Sequence, residues 1–301
     1  MDQASSLRNL IKSNQVSQHM PVSNRPLARI ITITSGKGGV GKSNTAINLA
    51  LQFKKLGKKV IILDADFGLA NIEIMFGTVP KHNLCDLIYQ GKEITDIITW
   101  GPGEVGFISG GSGIAGLSNL SRDYLTYIIQ NLAKLDAIAD VIIIDTGAGI
   151  SDAVLEFLVA SGEIVLVTTP EPTSITDSYS LVKALNRHPR FSKEYSTIKV
   201  LANRVNTEDE GLTLFKKLNA VVGRYLGLPI EYLGAIPQDQ QLLDAVMQQM
   251  PVSLAHPSAK SSKAYEGVTA KLMNLEIQGT IKKRGMAAFF SHIVANKKNH
   301  E

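Results

Sequence analysis

Apolar residues in this chain gather into short, nearly unbroken runs, at 30–34, 60–63, 105–108, 141–144, 164–168, 198–202 and 232–236. Most are β-branched and do not alternate with polar residues, as strands covered on both faces require. Between them the apolar positions recur at helical spacing, over 44–56, 122–135, 152–160, 175–186, 212–226, 238–249 and 259–275. Strand and helix in alternation predict an α/β fold, a mostly parallel twisted sheet with helices on both faces. The pattern occupies 29–275. Residues 1–28 are polar, with Pro21 and Pro26, and read as a flexible extension; residues 276–301 form a separate tail. The glycine-rich stretch 101–116 has no Lys-Ser after it and reads as a surface loop. No internal repeat is present.

Composition narrows the class. A chain of 301 residues, 44% of them hydrophobic, can bury one large core. The net charge of +4 points only weakly to an anionic partner, and the basic excess gathers near the C-terminus at Lys282, Lys283, Arg284, Lys297 and Lys298. The single cysteine, Cys85, excludes an intramolecular disulfide and a Cys-rich metal site, and its apolar neighbours give it a packing role. The six histidines have no ligand spacing, and no catalytic triad is evident. With no secretory h-region and no apolar run near the ~20 residues of a membrane span, a cytoplasmic protein is expected.

The candidate chemistry centres on Gly36-Lys37-Gly38-Gly39-Val40-Gly41-Lys42-Ser43. Gly36, Gly41, Lys42 and Ser43 satisfy the phosphate-loop pattern, between an apolar strand and a helix as that motif requires. The glycines allow backbone N–H groups to cradle phosphates at the helix N-terminus. Lys42 is expected on the β- and γ-phosphates of a nucleotide, and the Ser43 hydroxyl on Mg²⁺. Asp64 and Asp66 end one apolar run and Asp145 ends another, where a parallel sheet presents its ligand. Asp66 can orient the attacking water, while Asp64 and Asp145 can hold metal-bound waters. Thr146-Gly147-Ala148-Gly149 then forms a candidate switch segment. Asn203-Arg204 offers an amide to an adenine edge and a plane to its ring, although the same dipeptide also suits a plain loop.

Together the P-loop with its extra lysine, Asp64-Ala65-Asp66 and Asp145 resemble the deviant Walker ATPases, which include MinD, ParA-type partition proteins and the nitrogenase iron protein. The lack of cluster cysteines excludes the last branch. The resemblance implies slow hydrolysis of ATP to ADP with Mg²⁺, a homodimer with ATP and a monomer with ADP or no nucleotide. It makes Lys37 the signature lysine that crosses to the partner's nucleotide and Asp66 the water-orienting residue. Asn203, Arg204, Pro237 and Asp239 then lie on the adenine side. Asp64-Ala65-Asp66-Phe67-Gly68-Leu69-Ala70-Asn71 is of the MinD type, and the tails resemble those of FlhG-type flagellar number regulators. That resemblance implies flagellar partners, among them the signal-recognition-type GTPase FlhF and the C-ring switch proteins.

Both tails carry patterns of their own. Over 285–296, Met286, Phe289, Phe290, Ile293 and Val294 fall on one side of a helix flanked by basic residues, which suits an anionic lipid surface. Packing back on the domain is the other reading. Asp2, Gln3, Ala4, Leu7 and Arg8 resemble the activator segment that flagellar regulators offer to that GTPase; Asp2 can cap a short helix whose stripe is Leu7, Leu10 and Ile11. A plain tail is again the other reading. Glu171, Thr173 and Asp177 follow a strand end and suit either a regulator surface or a structural loop. A ParA-like DNA-positioning ATPase is the alternative function. The apolar tail is what speaks against it, and no specific nucleic acid is expected as a partner.

Overall fold

Eight strands form one sheet in the order β3-β4-β2-β5-β1-β6-β7-β8 in the computed structural model, which describes residues 27–66, 71–110, 129–278 and 285–294. β1 (Arg29–Thr34), β2 (Val60–Ala65), β5 (Val141–Thr146), β6 (Glu163–Thr168), β7 (Thr197–Val205) and β8 (Glu231–Pro237) are mutually parallel, and β4 (Gly106–Ile108) joins β2 in the same sense. The two-residue β3 (Thr99–Trp100) runs antiparallel to β4 and was not anticipated, being too short to show any period. Every residue of β2, β5 and β6 is buried, as their unbroken apolar runs require.

Helices cover both faces. α1 (Lys42–Lys55) and α10 (Lys260–Ile277) lie on one face with the short α2 (Asn71–Phe76), α8 (Gln240–Met247) and α9 (Val252–Ala255). The other face carries α3 (Leu84–Gln90), α4 (Leu135–Ile138), α5 (Asp152–Ala160), α6 (Pro172–Arg187), α7 (Glu208–Leu226) and α11 (Gly285–Val294). α2, α3 and α9 escape sequence periodicity because none exceeds two turns. α3 forms because Asn83 and Asp86 make a reciprocal capping box and Gly91 closes it in the left-handed conformation. The helix expected over 122–135 lies outside the described residues up to 128, is helical at 129–133, and is broken by a turn at Lys134. The expected loop at 101–116 contains the strand β4, and residues from 111 on are outside the described set.

An ion cluster closes the end of the sheet remote from the P-loop. Arg29 grips Glu163 through Nε and Nη2 at 2.9 and 2.8 Å, and Lys199 donates to the same carboxylate at 2.9 Å. Arg29 Nη1 also donates to the Leu272 carbonyl at 2.9 Å and reaches Glu276 at 3.5 Å, which fixes the last turns of α10. Burial pushes the Glu163 carboxyl up, but Arg29 and Lys199 outweigh it and hold it below the usual range. Removing one member of such a buried set leaves uncompensated charge, at a cost of about 3–5 kcal/mol.

The C-terminal segment docks on its own domain here. Met286, Phe289 and Phe290, the residues expected to face lipid, are 0%, 3% and 5% exposed and join an apolar cluster with Ala28, Leu132, Leu135 and Phe157, while Ile293 packs against its border. The Phe157 ring meets Phe289 at 6.1 Å and Phe290 edge-on at 6.3 Å. The side chain of Val294 lies outside the described residues, as does the whole segment from Asp2 to Arg8. Of the two readings of the tail, the described state is the docked one. Its apolar stripe fits a protein groove for the same reason that it suits lipid.

Candidate active site

The P-loop leaves β1 and enters α1 as its spacing requires. Gly41 is the N-cap residue of α1 at φ 97°, and Gly39 has φ 76°, so both adopt backbone conformations that favour glycine. Gly36 is required for another reason. A Cβ there would lie 2.2 Å from the Asp177 carbonyl carbon, against the backbone of α6. Ser35 fixes the turn by donating to the Lys37 carbonyl at 2.7 Å, and its own carbonyl accepts from Gly149 N at 2.9 Å. Thr146 Oγ1 donates to the Ile33 carbonyl at 3.1 Å, so the expected switch segment is pinned to the strand that feeds the loop.

Carboxylates converge beside this loop. Asp64 and Asp145 are register partners on neighbouring strands, 2% and 0% exposed. Asp64 accepts from the Asp66 and Ile72 N–H groups at 3.1 and 3.3 Å. Burial, then the charge of Asp145, pushes the Asp64 carboxyl up to about 8, against the pull of those two donors. Burial also raises Asp145, to about 6, although the Ser43 hydroxyl and the Lys42 ammonium pull it down. Neither Asp145 oxygen makes a hydrogen bond of ordinary geometry. Two buried carboxylates, one of them unsatisfied, beside a buried lysine and a serine hydroxyl form a donor set that fits a hard divalent cation. Among the described residues no three His, Cys, Asp or Glu side chains form a complete metal cage, so such a cation would need ligands from substrate and water. Asp66 stands at the mouth, with Asn71 Nδ2 donating to it at 3.4 Å and Gly147 beside its carboxylate.

Lys42 is 7% exposed, whereas the Lys37 side chain is 39% exposed. Lys37 Nζ pairs with Glu171 at 2.9 Å and with Thr173 Oγ1 at 3.1 Å, at the start of α6. Lys37 outweighs the slight burial of the Glu171 carboxyl and lowers it below its ordinary range. The sequence raised Glu171 and Thr173 as a surface or a loop; their pairing with Lys37, 134 and 136 residues away, left no local signal. Asp177 instead lends its backbone to the packing on Gly36.

The expected adenine-side residues occupy one sheet edge, with their polar groups largely committed. Asn203 is buried; its Nδ2 donates to the Val40 carbonyl at 2.7 Å and its Oδ1 accepts from Arg204 N at 2.9 Å. Asn203 therefore braces the P-loop from the end of β7 and holds Arg204 at φ 58°, with the Arg204 side chain exposed. Asp239 caps α8 through Gln241 N and, with its other oxygen, accepts from Ser261 N at 2.9 Å and Ser261 Oγ at 2.8 Å. Pro237 ends β8 next to it. Tyr265 was not singled out from the sequence. It is fully buried on α10 with no hydrogen bond of ordinary geometry at its hydroxyl, and Thr45 and Arg204 are its polar neighbours.

Comparison with known proteins agrees with this geometry. The model of the CobQ/CobB/MinD/ParA nucleotide binding domain matches residues 31–252. The antiactivator FleN of Pseudomonas aeruginosa is 41% identical over 244 residues, 81% of this chain and 86% of that protein. The flagellum site-determining protein YlxH of Helicobacter pylori is 32% identical over 297 residues, 97% of this chain and 98% of that one. Among solved structures, the septum site-determining protein MinD complexed with Mg-ADP, from Pyrococcus horikoshii, aligns with a TM-score of 0.66 at 23% identity. The alignment covers 83% of this chain and 98% of that one. At that identity the likeness speaks for the fold.

Proposed function

The chain belongs to the CobQ/CobB/MinD/ParA nucleotide-binding family, and from that premise we propose that it is an ATPase switch that sets the number or position of flagella. The observation that carries this reading is an intact P-loop site in a chain 41% identical to an antiactivator FleN. ATP is the substrate. The N–H groups of Gly38 to Ser43 and the Lys42 ammonium hold its phosphates, and the buried position of Lys42 keeps that charge undiluted by solvent. Ser43 would hold Mg²⁺ directly and Asp64 and Asp145 through water, and the bound ion would neutralise phosphate charge. Asp66 orients the attacking water, and Gly147 leaves room beside it.

In this reading two copies face one another across their nucleotides, and Lys37 leaves Glu171 and Thr173 to serve the other copy. Hydrolysis then depends on assembly. On its own α11 stays docked. With ATP it is released, and its apolar face, flanked by Lys282, Lys283 and Arg284, meets an anionic membrane on the cytoplasmic side. A single such helix binds marginally, and two in a dimer add avidity. Among the described residues no helix is long and apolar enough to cross a membrane. The N-terminal segment around Gln3 stimulates the flagellar GTPase FlhF, and C-ring switch proteins are further partners.

The test is co-sedimentation with anionic vesicles, with ATP or ADP, using the full chain and a chain truncated before Lys282. Binding that needs both ATP and the tail supports the membrane switch. Absence of binding in every condition discards the membrane step and leaves the ATPase reading to a turnover assay.

A further inference from the structure

The two ends of the described chain meet at one carboxylate. Asp136, on α4, accepts from Met286 N at 2.9 Å through Oδ2 and at 3.2 Å through Oδ1, and from Ala28 N at 3.3 Å through Oδ1. Met286 lies in the first turn of the C-terminal helix α11, and Ala28 is the residue before β1. Gly285, at φ 69°, sits in this junction; a Cβ there would lie 2.6 Å from Asp136 Oδ2 and 2.9 Å from Leu27 Cδ2. Ala28 is 1% exposed, in the same apolar cluster as Met286, Phe289 and Phe290.

The neighbouring residue completes the arrangement. Arg29 holds the Leu272 carbonyl and Glu276 at the end of α10, inside the buried ion cluster. Residues 27–29 therefore bracket the connection between α10 and α11. Arg29 grips its near side and Leu27, Ala28 and Asp136 contact its far side. The two grips differ in strength. Arg29 is wholly buried and paired with a carboxylate, whereas Asp136 reaches α11 through the single Met286 N–H, shared between its two oxygens. A departing α11 pivots on the fixed end of α10 and gives up the Asp136 side.

We propose that Asp136 couples the two tails: when α11 leaves the domain, the anchorage of the N-terminal segment at Leu27–Ala28 loosens with it. Docking of the C-terminal helix thus sets how firmly the preceding residues 1–26 are held at their root. A protein partner that engages the N-terminal segment would find it freer on copies whose C-terminal helix is engaged elsewhere. The inference rests on the reading of α11 as a releasable segment. It does not require that α11 bind lipid.

Amide hydrogen exchange on the protein without vesicles or partner tests it. Three chains are compared with the full chain: one ending at Gln278, Asp136→Ala and Asp136→Asn. In the chain lacking α11, exchange at Ala28 should accelerate on the order of tenfold or more, while Arg29, bonded to the Asp140 carbonyl, and residues 31–33, inside the β5-β1-β6 ladder, keep their protection. Asp136→Ala should accelerate exchange at Ala28 and Met286 together. Asp136→Asn, whose amide oxygen still accepts, should do so less. Unchanged exchange at Ala28 on loss of α11, or an Asp136→Ala chain in which only one end loosens, overturns the coupling. A failure of lipid binding would appear in the sedimentation assay alone and leave this result standing.

Discussion

Substituting the groove rather than the tail separates docking from lipid binding. Any change to Phe289 or Phe290 alters both, whereas Phe157→Ala on α5 leaves the sequence of α11 intact. Phe157 contributes two ring contacts, to Phe289 at 6.1 Å with planes 37° apart and to Phe290 at 6.3 Å and 88°. Such pairs are each worth about 0.5–1.5 kcal/mol beyond the area they bury. Loss of both takes about 1–3 kcal/mol from docking, and with tenfold per 1.4 kcal/mol the undocked population rises roughly 5–150-fold. The total loss in fold stability is larger, about 3–5 kcal/mol for a buried Phe→Ala, because a cavity also remains in the core. A melting curve must therefore confirm that the variant is folded at the assay temperature. Exchange at residues 286–293 should then quicken by that factor, and sedimentation with anionic vesicles should become substantial in ADP, where the parent chain should bind little. A folded Phe157→Ala protein whose α11 exchanges at the parental rate would refute the claim that these rings hold the helix down.

Asp66→Asn keeps the shape of the side chain and removes its charge. ATP turnover should fall by about 10²–10⁴, while ATP affinity by calorimetry stays within a few-fold; undiminished turnover would remove Asp66 from the mechanism. Asn203→Asp turns a donor toward the Val40 carbonyl into an acceptor. The unsatisfied contact should cost about 1–3 kcal/mol, read as weaker nucleotide binding, and unaltered affinity would show that the loop needs no such brace. The nucleotide-free protein should melt at lower temperature as pH rises from about 5 to 8. Asp64 and Asp145 are raised to about 8 and about 6 in the folded state, so the stability their bound protons confer is fully present below 3.8 and is lost as pH climbs through those values. Scanning calorimetry at several pH values checks this; the slope should shrink in Asp64→Asn, and a flat profile in the parent chain would contradict the assignment.

Much of the phosphate side was legible because its determinants are local. The P-loop requires glycines, a lysine and a serine at fixed spacing, and Asp64 and Asp145 announce themselves by ending apolar runs. Strand order was not legible, yet it makes those two carboxylates register partners and so sets their charge state. The commitment of Lys37 to Glu171 and of Asn203 to Val40 joins residues more than 130 positions apart, which no pattern along the chain records. Asp239 shows a different limit. Its place in a turn after an apolar run was visible, but not that it caps α8 and also binds the N-terminus of α10 through Ser261. The tail was ambiguous for a physical reason, since an apolar stripe on a helix specifies burial without specifying what does the burying.

Because Arg29 fixes the end of α10, a released α11 could move only as far as the seven residues 278–284 reach. Fully extended they span about 23–25 Å, roughly the width of a small domain. A copy held by its released α11 could tilt and turn, but its Arg29 end could not rise farther than that above the surface holding the helix. The nucleotide end of the sheet, at the opposite pole, would have to point away or sideways. Lengthening this connection with glycine and serine should then leave docking and hydrolysis intact while relaxing the height at which the root of the N-terminal segment is carried.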